Sequence, residues 1–513
     1  VNQLHYGDNL EVLRERISDE SVDLIYIDPP FNSKRDYNII YDGATAQAEA
    51  FKDTWSLQSW QNERQLIFFD EPQRYARLHR FIQALEVLRI DSDPSLFGYL
   101  VNMGIRIVEL HRVLKSTGSF YLHCDPTASH YLKVLLDDVF GKANFRNEII
   151  WHYGGWVHQR MNQFPRKHDV ILYYSKSESN TFHPLSVPWD RYEYIRLRRQ
   201  AIHKESDGRE YIYDRRGGKG QKRYLDVAMN EGRSVTSVWD IRALTSSAKE
   251  RLGFPTQKPE SLLSRIIRAS SNEGDVVLDA FCGCGTTVVA AQRLNRKWIG
   301  IDITYLAIDL VRERLLDQFY RVEGEPEVES ARRFDSEVTI HGIPRDIEGV
   351  RHLATRTKGD RVRKEYEKWA VFSVGGVYSE KKGADSGIDG YFLLDDFSSE
   401  GEHQIVRGLI QVKSGRVGVR EVRDFAHVLE REGAPLGIFV TLEPPTGPML
   451  QEIDRLEPWR SGRGKVIDRI TMITAEDILS ARLPALPIRR ATRRASRVVP
   501  EVEQHDLLQD NGI

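Results

Sequence analysis

Three cysteines in 513 residues, Cys124, Cys282 and Cys284, are too few to staple a fold and suit a reducing compartment, the cytoplasm. Cys282 and Cys284 have no second pair of metal ligands nearby in sequence, so small buried thiols are expected there rather than a zinc site. No apolar run approaches the about 20 residues needed to cross a bilayer. The N-terminus also lacks a charged-then-apolar leader pattern, so no membrane partner is expected. No G-x-x-x-x-G-K-[ST] string occurs, which removes a Walker-type ATPase from this chain; ATP-driven movement would need a separate ATPase or helicase subunit. Charge is nearly balanced, 73 basic against 75 acidic residues, so any polyanion-binding surface must be local. At this length one hydrophobic core is not enough, and two or more domains are expected.

What is present begins with Asp28-Pro29-Pro30-Phe31, which closes the apolar run Leu24-Ile25-Tyr26-Ile27. Neither proline has an N–H to donate, so a strand must stop there. An acid, two stiff carbonyl-bearing residues and a ring are left at its lip. That set suits the exocyclic amine of a nucleobase. The Asp28 carboxylate and the Pro29 carbonyl can accept its two N–H bonds while the Phe31 ring stacks on the base. Accepting both hydrogens frees the nitrogen lone pair and points it at an electrophile. As an isolated match, such a string is more often only a strand ending in a rigid turn.

A second element changes that balance. Asp275 to Thr287 reads as a strand, a glycine-rich turn holding Asp279, Phe281, Gly283, Gly285 and Thr286, and then the helix Val288 to Leu294. Glycines let backbone N–H groups and a helix N-terminus approach a ligand closely. Lys297-Trp298-Ile299-Gly300-Ile301-Asp302 follows, another apolar strand ending in an acid, the arrangement that holds ribose hydroxyls. The spacing is not G-x-G-x-x-G and no phosphate-binding lysine follows the glycines. A phosphate-poor nucleoside cofactor such as S-adenosylmethionine fits better than a dinucleotide.

Gly7-Asp8-Asn9-Leu10, Asp28 to Phe31, Gly118 to Asp125, Thr256-Gln257-Lys258-Pro259 and Phe281-x-Gly283-x-Gly285 occur in this order. Together they resemble the amino-methyltransferases of DNA with permuted motif order, the β-class that includes type III modification subunits. The resemblance spans residues 1–320. It implies methyl transfer from S-adenosylmethionine to adenine N6 in double-stranded DNA, with the target base flipped out of the stack. In that family the DPPY or DPPF form usually marks adenine enzymes, whereas cytosine N4 enzymes more often begin the motif with serine. Asp28 tilts the reading toward adenine and leaves cytosine N4 open. By motif match, Phe281, Gly283 and Gly285 line the methionine part of the cofactor and Asp302 takes its ribose. Asp279 and Thr286 belong to the same cofactor site. Asp8, Asp125 and Lys258 are further cofactor candidates, with turn stabilisation and surface pairing as their alternative roles.

Strand-like runs at Asp23–Asp28, Ser119–His123, Val170–Tyr174, Val276–Asp279 and Trp298–Ile301 alternate with helical stretches such as Leu100–Leu114 and His130–Phe140. Such alternation predicts an α/β fold, a parallel-rich, doubly wound sheet with ligands at the carboxyl edge of its strands. Within it, residues 176–255 turn basic and aromatic. Arg196, Arg198, Arg199, Arg215, Arg216, Lys219, Lys222 and Arg223 interleave with five tyrosines, a mixture suited to phosphates and bases and expected to recognise the target DNA. A solvated charged face is the alternative. Residues 321–360 are charge-rich and poorly periodic and read as a flexible linker carrying a short ordered segment. Residues 483–513 read as a disordered tail.

Residues 361–482 form another α/β pattern. Gly387-Ile-Asp389-Gly390 precedes the strand Gly408 to Ser414, whose Gln411 and Lys413 share one face because strand side chains alternate. With Asp389 on a neighbouring strand, its carboxylate, the Gln411 amide oxygen and the Val412 carbonyl could hold Mg²⁺, and Lys413 would sit beside a metal-bound water. The G-x-D-G and Q-x-K strings resemble the PD-(D/E)xK nuclease fold, more narrowly Mrr-like restriction endonucleases. Gln411 departs from the acid of the general pattern, which lowers the metal's charge count; Mrr-like enzymes commonly show that glutamine. The sequence therefore reads as a DNA methyltransferase joined to a Mg²⁺-dependent nuclease, with a homodimer left open. The missing Walker motif excludes a type III restriction subunit. Its rivals are a silent C-terminal domain used for targeting, and a methylation-sensing nuclease whose other half only reads DNA.

Overall fold

The computed structural model of the protein describes residues 1–30, 36–40, 47–52, 65–88, 90–155, 162, 164–214, 220–245, 248–252, 254, 256–344, 346–355, 360–379, 387–397, 403–462, 464–480, 482–484, 486 and 488. In the N-terminal half, β1 (Asn2–Tyr6) leads through α1 (Asn9–Arg16) to β2 (Val22–Ile27). Then follow α2 (Pro94–Val113), β3 (Leu114–Cys124), α3 (Ser129–Leu136), β4 (Phe145–His152), β5 (His168–Ser175) and β6 (Val238–Asp240). The expected helix at Leu100 in fact begins at Pro94, because Asp93 caps it by accepting from the N–H groups of Ser95 and Leu96. Next come α4 (Glu260–Ser270), β7 (Val276–Asp279), α5 (Thr286–Arg293), β8 (Lys297–Asp302) and α6 (Tyr305–Leu315).

Nine strands make one sheet, in the order β6-β4-β5-β3-β2-β7-β8-β1 and then a ninth strand described below. Every neighbouring pair is parallel except the two made by β5, which runs antiparallel to β3 and β4. Alternate side chains serve opposite faces: Ile25, Ile27, Phe120 and Leu122 enter the core under α1, α2 and α3. Leu24, Tyr26 and Tyr121 enter the core under α4, α5 and α6. Both faces are thus covered, as a largely parallel sheet requires. The chain leaves β7 toward β8 and leaves β2 toward β3, so the order reverses between β2 and β7. That is the crevice where ligands of doubly wound folds bind.

The expected flexible linker is a correction. Residues 321–355 hold α7 (Glu327–Glu337), β9 (Val338–His341) and α8 (Ile347–Thr355), and β9 adds to the sheet parallel to β1. His341 of β9 stacks on His5 with ring centroids 4.5 Å apart. Four residues were too few to show as a strand in a charged stretch.

The C-terminal half has α9 (Asp360–Ser373) and a five-stranded sheet of β10 (Val377–Tyr378), β11 (Gly390–Phe397), β12 (His403–Lys413), β13 (Gly437–Thr441) and β14 (Ile470–Thr474). They pair in that order, antiparallel up to β12 and parallel beyond it. Between β12 and β13 lies α10 (Val419–Arg431), whose Val422, Phe425 and Leu429 cover one face. The start of the expected disordered tail is a second correction: Leu483, Leu486 and Ile488 pack on this domain's core, and Ile488 bridges to Leu394. Residues beyond 488 lie outside the described ones.

The two halves touch. The Tyr6 ring stacks on Tyr305 at 3.8 Å, and the Tyr6 hydroxyl donates to Glu365 of α9. Phe254, Leu306 and Leu310 form one buried cluster with Val377 and Leu393. Among the described residues no helix is long and apolar enough to cross a membrane.

Candidate functional site

β2 delivers Asp28, Pro29 and Pro30 to the crevice; Pro29 is buried and Asp28 half-buried. Phe31 lies outside the described residues. The Asp28 carboxylate is held from two sides. Lys258 Nζ donates to Asp28 Oδ2 and, at 3.3 Å, to the Thr256 carbonyl, while His123 Nδ1 stands 3.9 Å from Asp28 Oδ1. Lys258 reaches in because the Gln257 side chain pins the turn before α4, accepting from Leu252 N–H and donating to the Glu250 carbonyl. Lys258, expected as a cofactor contact, is therefore brought to the acid of the catalytic motif. Its ammonium forms a charge-assisted bond, the stronger class.

His123, the last residue but one of β3, is fully buried. Its Nδ1 meets the Tyr26 hydroxyl at 2.9 Å and its Nε2 meets Asp169 Oδ2 at 3.1 Å. Burial, with the charges of Asp28, Asp279 and Asp169, pushes the Tyr26 phenol up, so it keeps its hydrogen. Burial opposes ionisation of Asp169, but the His123 bond and charge, helped by Lys258 and His168, hold its carboxyl below the ordinary range. Sequence reasoning quoted His123 within a motif and missed Asp169 entirely. Only the reversed direction of β5 brings the start of that strand to the carboxyl ends of the others, and nothing local announces it.

On the other side of the crevice, β7 ends at buried Asp279. Its Oδ1 accepts from Phe281 N–H at 3.0 Å and its Oδ2 from the Thr287 hydroxyl at 2.6 Å. Burial, with Asp28 and Asp302 nearby, pushes this carboxyl up to about 7. Gly283 and Gly285 take positive φ, +48° and +75°. A Cβ on Gly283 would stand 3.2 Å from Phe254, and one on Gly285 only 2.7 Å from Val311 of α6. Close approach of the turn to α6 thus by itself requires glycine at 285, a reason that stands beside the ligand contact expected. Asp302 ends β8; its Oδ2 accepts from Gly283 N–H at 2.9 Å and its Oδ1 from Thr304. Thr286 is buried and turned inward, its hydroxyl 3.3 Å from the Arg314 guanidinium, away from a surface position. Arg314 also donates to the Cys284 carbonyl at 3.2 Å and so holds the turn from beneath.

Two further candidates have structural partners. Asp8 caps α1 through Leu10 N–H and pairs with Arg106, whose Nε bonds Asn9; the Asn9 amide in turn donates to the Ala280 carbonyl beside the glycine turn. Asp125 caps the turn into α3 through Thr127 and Ala128 N–H groups. The donor set around the turn comprises the acids Asp279 and Asp302 and the half-buried Phe281 ring, while Lys258 is engaged with Asp28. That chemistry fits a phosphate-free nucleoside bearing hydroxyls and positive charge. All three cysteines are buried, and burial pushes each thiol up, which suits inert packing. No group of three His, Cys, Asp or Glu side chains that could hold a metal occurs among the described residues.

In the basic segment, Lys222 pairs with Glu205 at 2.7 Å, Arg223 with Glu231, and the Arg198 guanidinium lies 5.2 Å over the Tyr194 ring. Arg196 and Arg199 are exposed beside exposed Tyr192. Arg215, Arg216 and Lys219 lie outside the described residues.

The second site forms where β11 meets β12. Asp389 N–H donates to the Ile410 carbonyl, and Asp389 Oδ2 accepts from Val412 N–H at 2.7 Å, so the acid sits against the Gln411-x-Lys413 strand end. Gln411 Nε2 donates to the Gly387 carbonyl at 2.8 Å, which fixes the amide, and its buried Oε1 has no hydrogen-bond partner. A buried amide oxygen left over in this way is costly unless a cation or water takes it. That orphan oxygen beside Asp389 fits a hard divalent cation.

A model of the N6/N4 DNA methylase family matches residues 22–313, more than half of the chain, and a restriction endonuclease model of Mrr type matches residues 370–478. The type II methyltransferase M.HpaI of Haemophilus parainfluenzae is 30% identical over 231 residues, 45% of this chain and 63% of that protein. The DNA adenine methyltransferase YhdJ of Escherichia coli K12 is 27% identical over 311 residues, 60% of this chain and 81% of that protein. The chain spans less than two thirds of the length of M.HpaI and of the methyltransferases M.EcaI and M.BamHI, which it also matches. Among solved structures, the cytosine-N4-specific PvuII DNA methyltransferase aligns with 66% of this chain and 95% of its own, at 15% identity and a TM-score of 0.35.

Proposed function

The chain belongs to the N6/N4 DNA methylase family and carries an Mrr-type restriction endonuclease domain, and on that premise we propose that it both methylates and cleaves double-stranded DNA. The methylated atom in this reading is adenine N6. S-adenosylmethionine, when bound, supplies an electrophilic methyl group. Residues 1–320 carry this activity, with 176–255 reading the target, and residues 361–482 carry cleavage. The carrying observation is the carboxylate of Asp28 at the reversal point of the sheet, fixed by Lys258 and facing the glycine turn across β2 and β7.

In this reading Asp28 Oδ1 and the Pro29 carbonyl accept the two N–H bonds of the flipped amine, Pro30 holds that lip rigid, and Phe31 stacks the base. Lys258 fixes the carboxylate so that its free lone pairs meet the amine in one orientation. Asp302 holds the ribose of the cofactor, and Phe281, Asp279 and the Gly283–Gly285 backbone enclose its charged end. Asp8 and Asp125 act at one remove, by setting α1 and α3. Catalysis is alignment in a fixed field of dipoles rather than chemistry by a strong base. Arg196 and Arg199 meet phosphates, and the exposed pairs of Lys222 and Arg223 exchange partners at little cost, since such pairs are worth under about 1 kcal/mol.

Mg²⁺ at Asp389, Gln411 and the Val412 carbonyl would polarise a scissile phosphate, with Lys413 orienting the attacking water. One such site cuts one strand, so a double-strand break calls for a homodimer on DNA. ATP-driven movement, where cleavage needs it, falls to a separate subunit. The buried thiols suit the cytoplasm.

The test is label transfer from tritiated cofactor to DNA of methylation-deficient cells, followed by nucleoside chromatography. Label in N6-methyladenine is the expected result. Label in N4-methylcytosine would replace the adenine reading, and no label would reject methyl transfer.

A further inference from the structure

Methyl transfer leaves a proton to dispose of. A nitrogen–carbon bond forms as the carbon–sulfur bond breaks and sulfur keeps the electron pair. The amine nitrogen, having spent its lone pair, must then shed one of its two hydrogens as a proton. Asp28 is the nearest acceptor, but Lys258 already occupies its other oxygen, which leaves only Oδ1 to receive the proton and pass it on.

Resting on the methyltransferase reading above, we infer that His123, held by Asp169, takes up the proton released by the target amine, with Asp28 as its first carrier. His123 Nδ1 is 3.9 Å from Asp28 Oδ1, a separation that a small side-chain shift closes. The Asp169 carboxylate can only accept, so the ring proton belongs on Nε2, 3.1 Å from Asp169 Oδ2, and Nδ1 is then the lone-pair nitrogen, meeting the Tyr26 hydroxyl at 2.9 Å. This is an acceptor oriented by a carboxylate behind it. When the proton arrives at Nδ1, the Tyr26 hydroxyl turns from donor to acceptor, and Asp169 stabilises the imidazolium. The Trp151 ring packs edge-on against His123 at 5.5 Å.

Among the described residues, the titratable groups facing His123 include Tyr26 and Asp28 from the end of β2 and Asp169 with His168 from β5. Lys258 lies on the turn before α4, and Tyr153 beyond β4 senses the Asp169 charge. Two of these are carboxylates and one is a lysine, so a cation on His123 is offset locally. His123 acts through Asp28 and is a positioning residue that also holds a proton; it does not touch the methyl group.

The experiment is the single-turnover methylation rate of the full chain as a function of pH, for wild type, His123→Gln and Asp169→Asn. The wild-type rate should fall along a one-proton limb as the pH is lowered, because a protonated imidazole cannot accept. His123→Gln should be about 100-fold slower at neutral pH, the lower end of what a positioned proton acceptor contributes, and should lose the limb. Its cofactor affinity, read by calorimetry, should stay within about threefold. Asp169→Asn should also slow the reaction at neutral pH by about tenfold or more, since the ring then lacks the carboxylate that orients it. A folded His123→Gln protein with the wild-type limb would overturn the inference. If that variant does not fold, a wild-type rate in Asp169→Asn overturns it instead. A wild type that transfers no methyl group at any pH overturns the underlying reading and the inference together, whereas an active wild type with an unchanged His123→Gln profile overturns the inference alone.

Discussion

At the end of β7, Asp279 is a carboxyl group with 4% of its surface exposed and two hydrogen bonds donated to it. Burial pushes it up to about 7 from the 3.8 of a free side chain. The folded state therefore binds this proton more tightly than the unfolded chain does between those values. The stabilisation it contributes is fully present below about pH 4 and is lost as pH rises through about 7. Asp279→Asn keeps the shape and removes the ionisation. The melting temperature of the variant relative to wild type should rise by a few degrees between pH 5 and pH 8. A difference independent of pH would mean that Asp279 is not strained by burial. Single residues of this kind were partly legible. Asp28 and Pro29 were readable because prolines stop a ladder and an acid beside them has few structural uses. Lys258 was visible too, but its partner is 230 positions away and the cofactor was the nearer guess. Asp169 carried no local signal at all.

Elements tell a similar story with different physics. The strands that end at Asp28, Asp279 and Asp302 were legible because fully buried parallel strands read as continuous apolar runs bounded by turn residues. The direction of β5 was not, since a strand's polarity in a sheet is set by its neighbours. Nor was β9, whose four residues are stabilised by pairing with β1 rather than by their own pattern. The glycine turn was found, but the close approach of Gly285 to α6 was not. Its Cβ would stand 2.7 Å from a Val311 methyl, at a φ of +75°. Gly285→Ala should cost about 1–3 kcal/mol of stability by overpacking. Val311→Ala opens that space, so the double variant should be less destabilised than the sum of the two singles, as coupled neighbours are. Denaturant unfolding of the four proteins measures this. Strict additivity would return the explanation to the ligand side of the turn.

Across the whole molecule, two chemistries were readable because each has its own short motif, Asp28 to Phe31 in one half and Gly387 to Lys413 in the other. How they are joined was not. The stretch expected to be a flexible tether extends the first sheet through β9 and then packs, so that Tyr6, Tyr305 and Glu365 link the halves. The β10–β11 side of the nuclease half lies against Phe254, Leu306 and Leu310, next to the turn that carries Gly283. The halves still keep the two proposed reacting groups on different sheets, Asp28 just after β2 and Lys413 at the end of β12. The direct measurement is one incubation of DNA from methylation-deficient cells with Mg²⁺ and S-adenosylmethionine, scoring methylation and cleavage together for wild type, Asp28→Ala and Lys413→Ala. Wild type should do both, Asp28→Ala should cleave without methylating, and Lys413→Ala should methylate without cleaving. Methylation by Asp28→Ala at the wild-type rate would contradict the assignment at its centre.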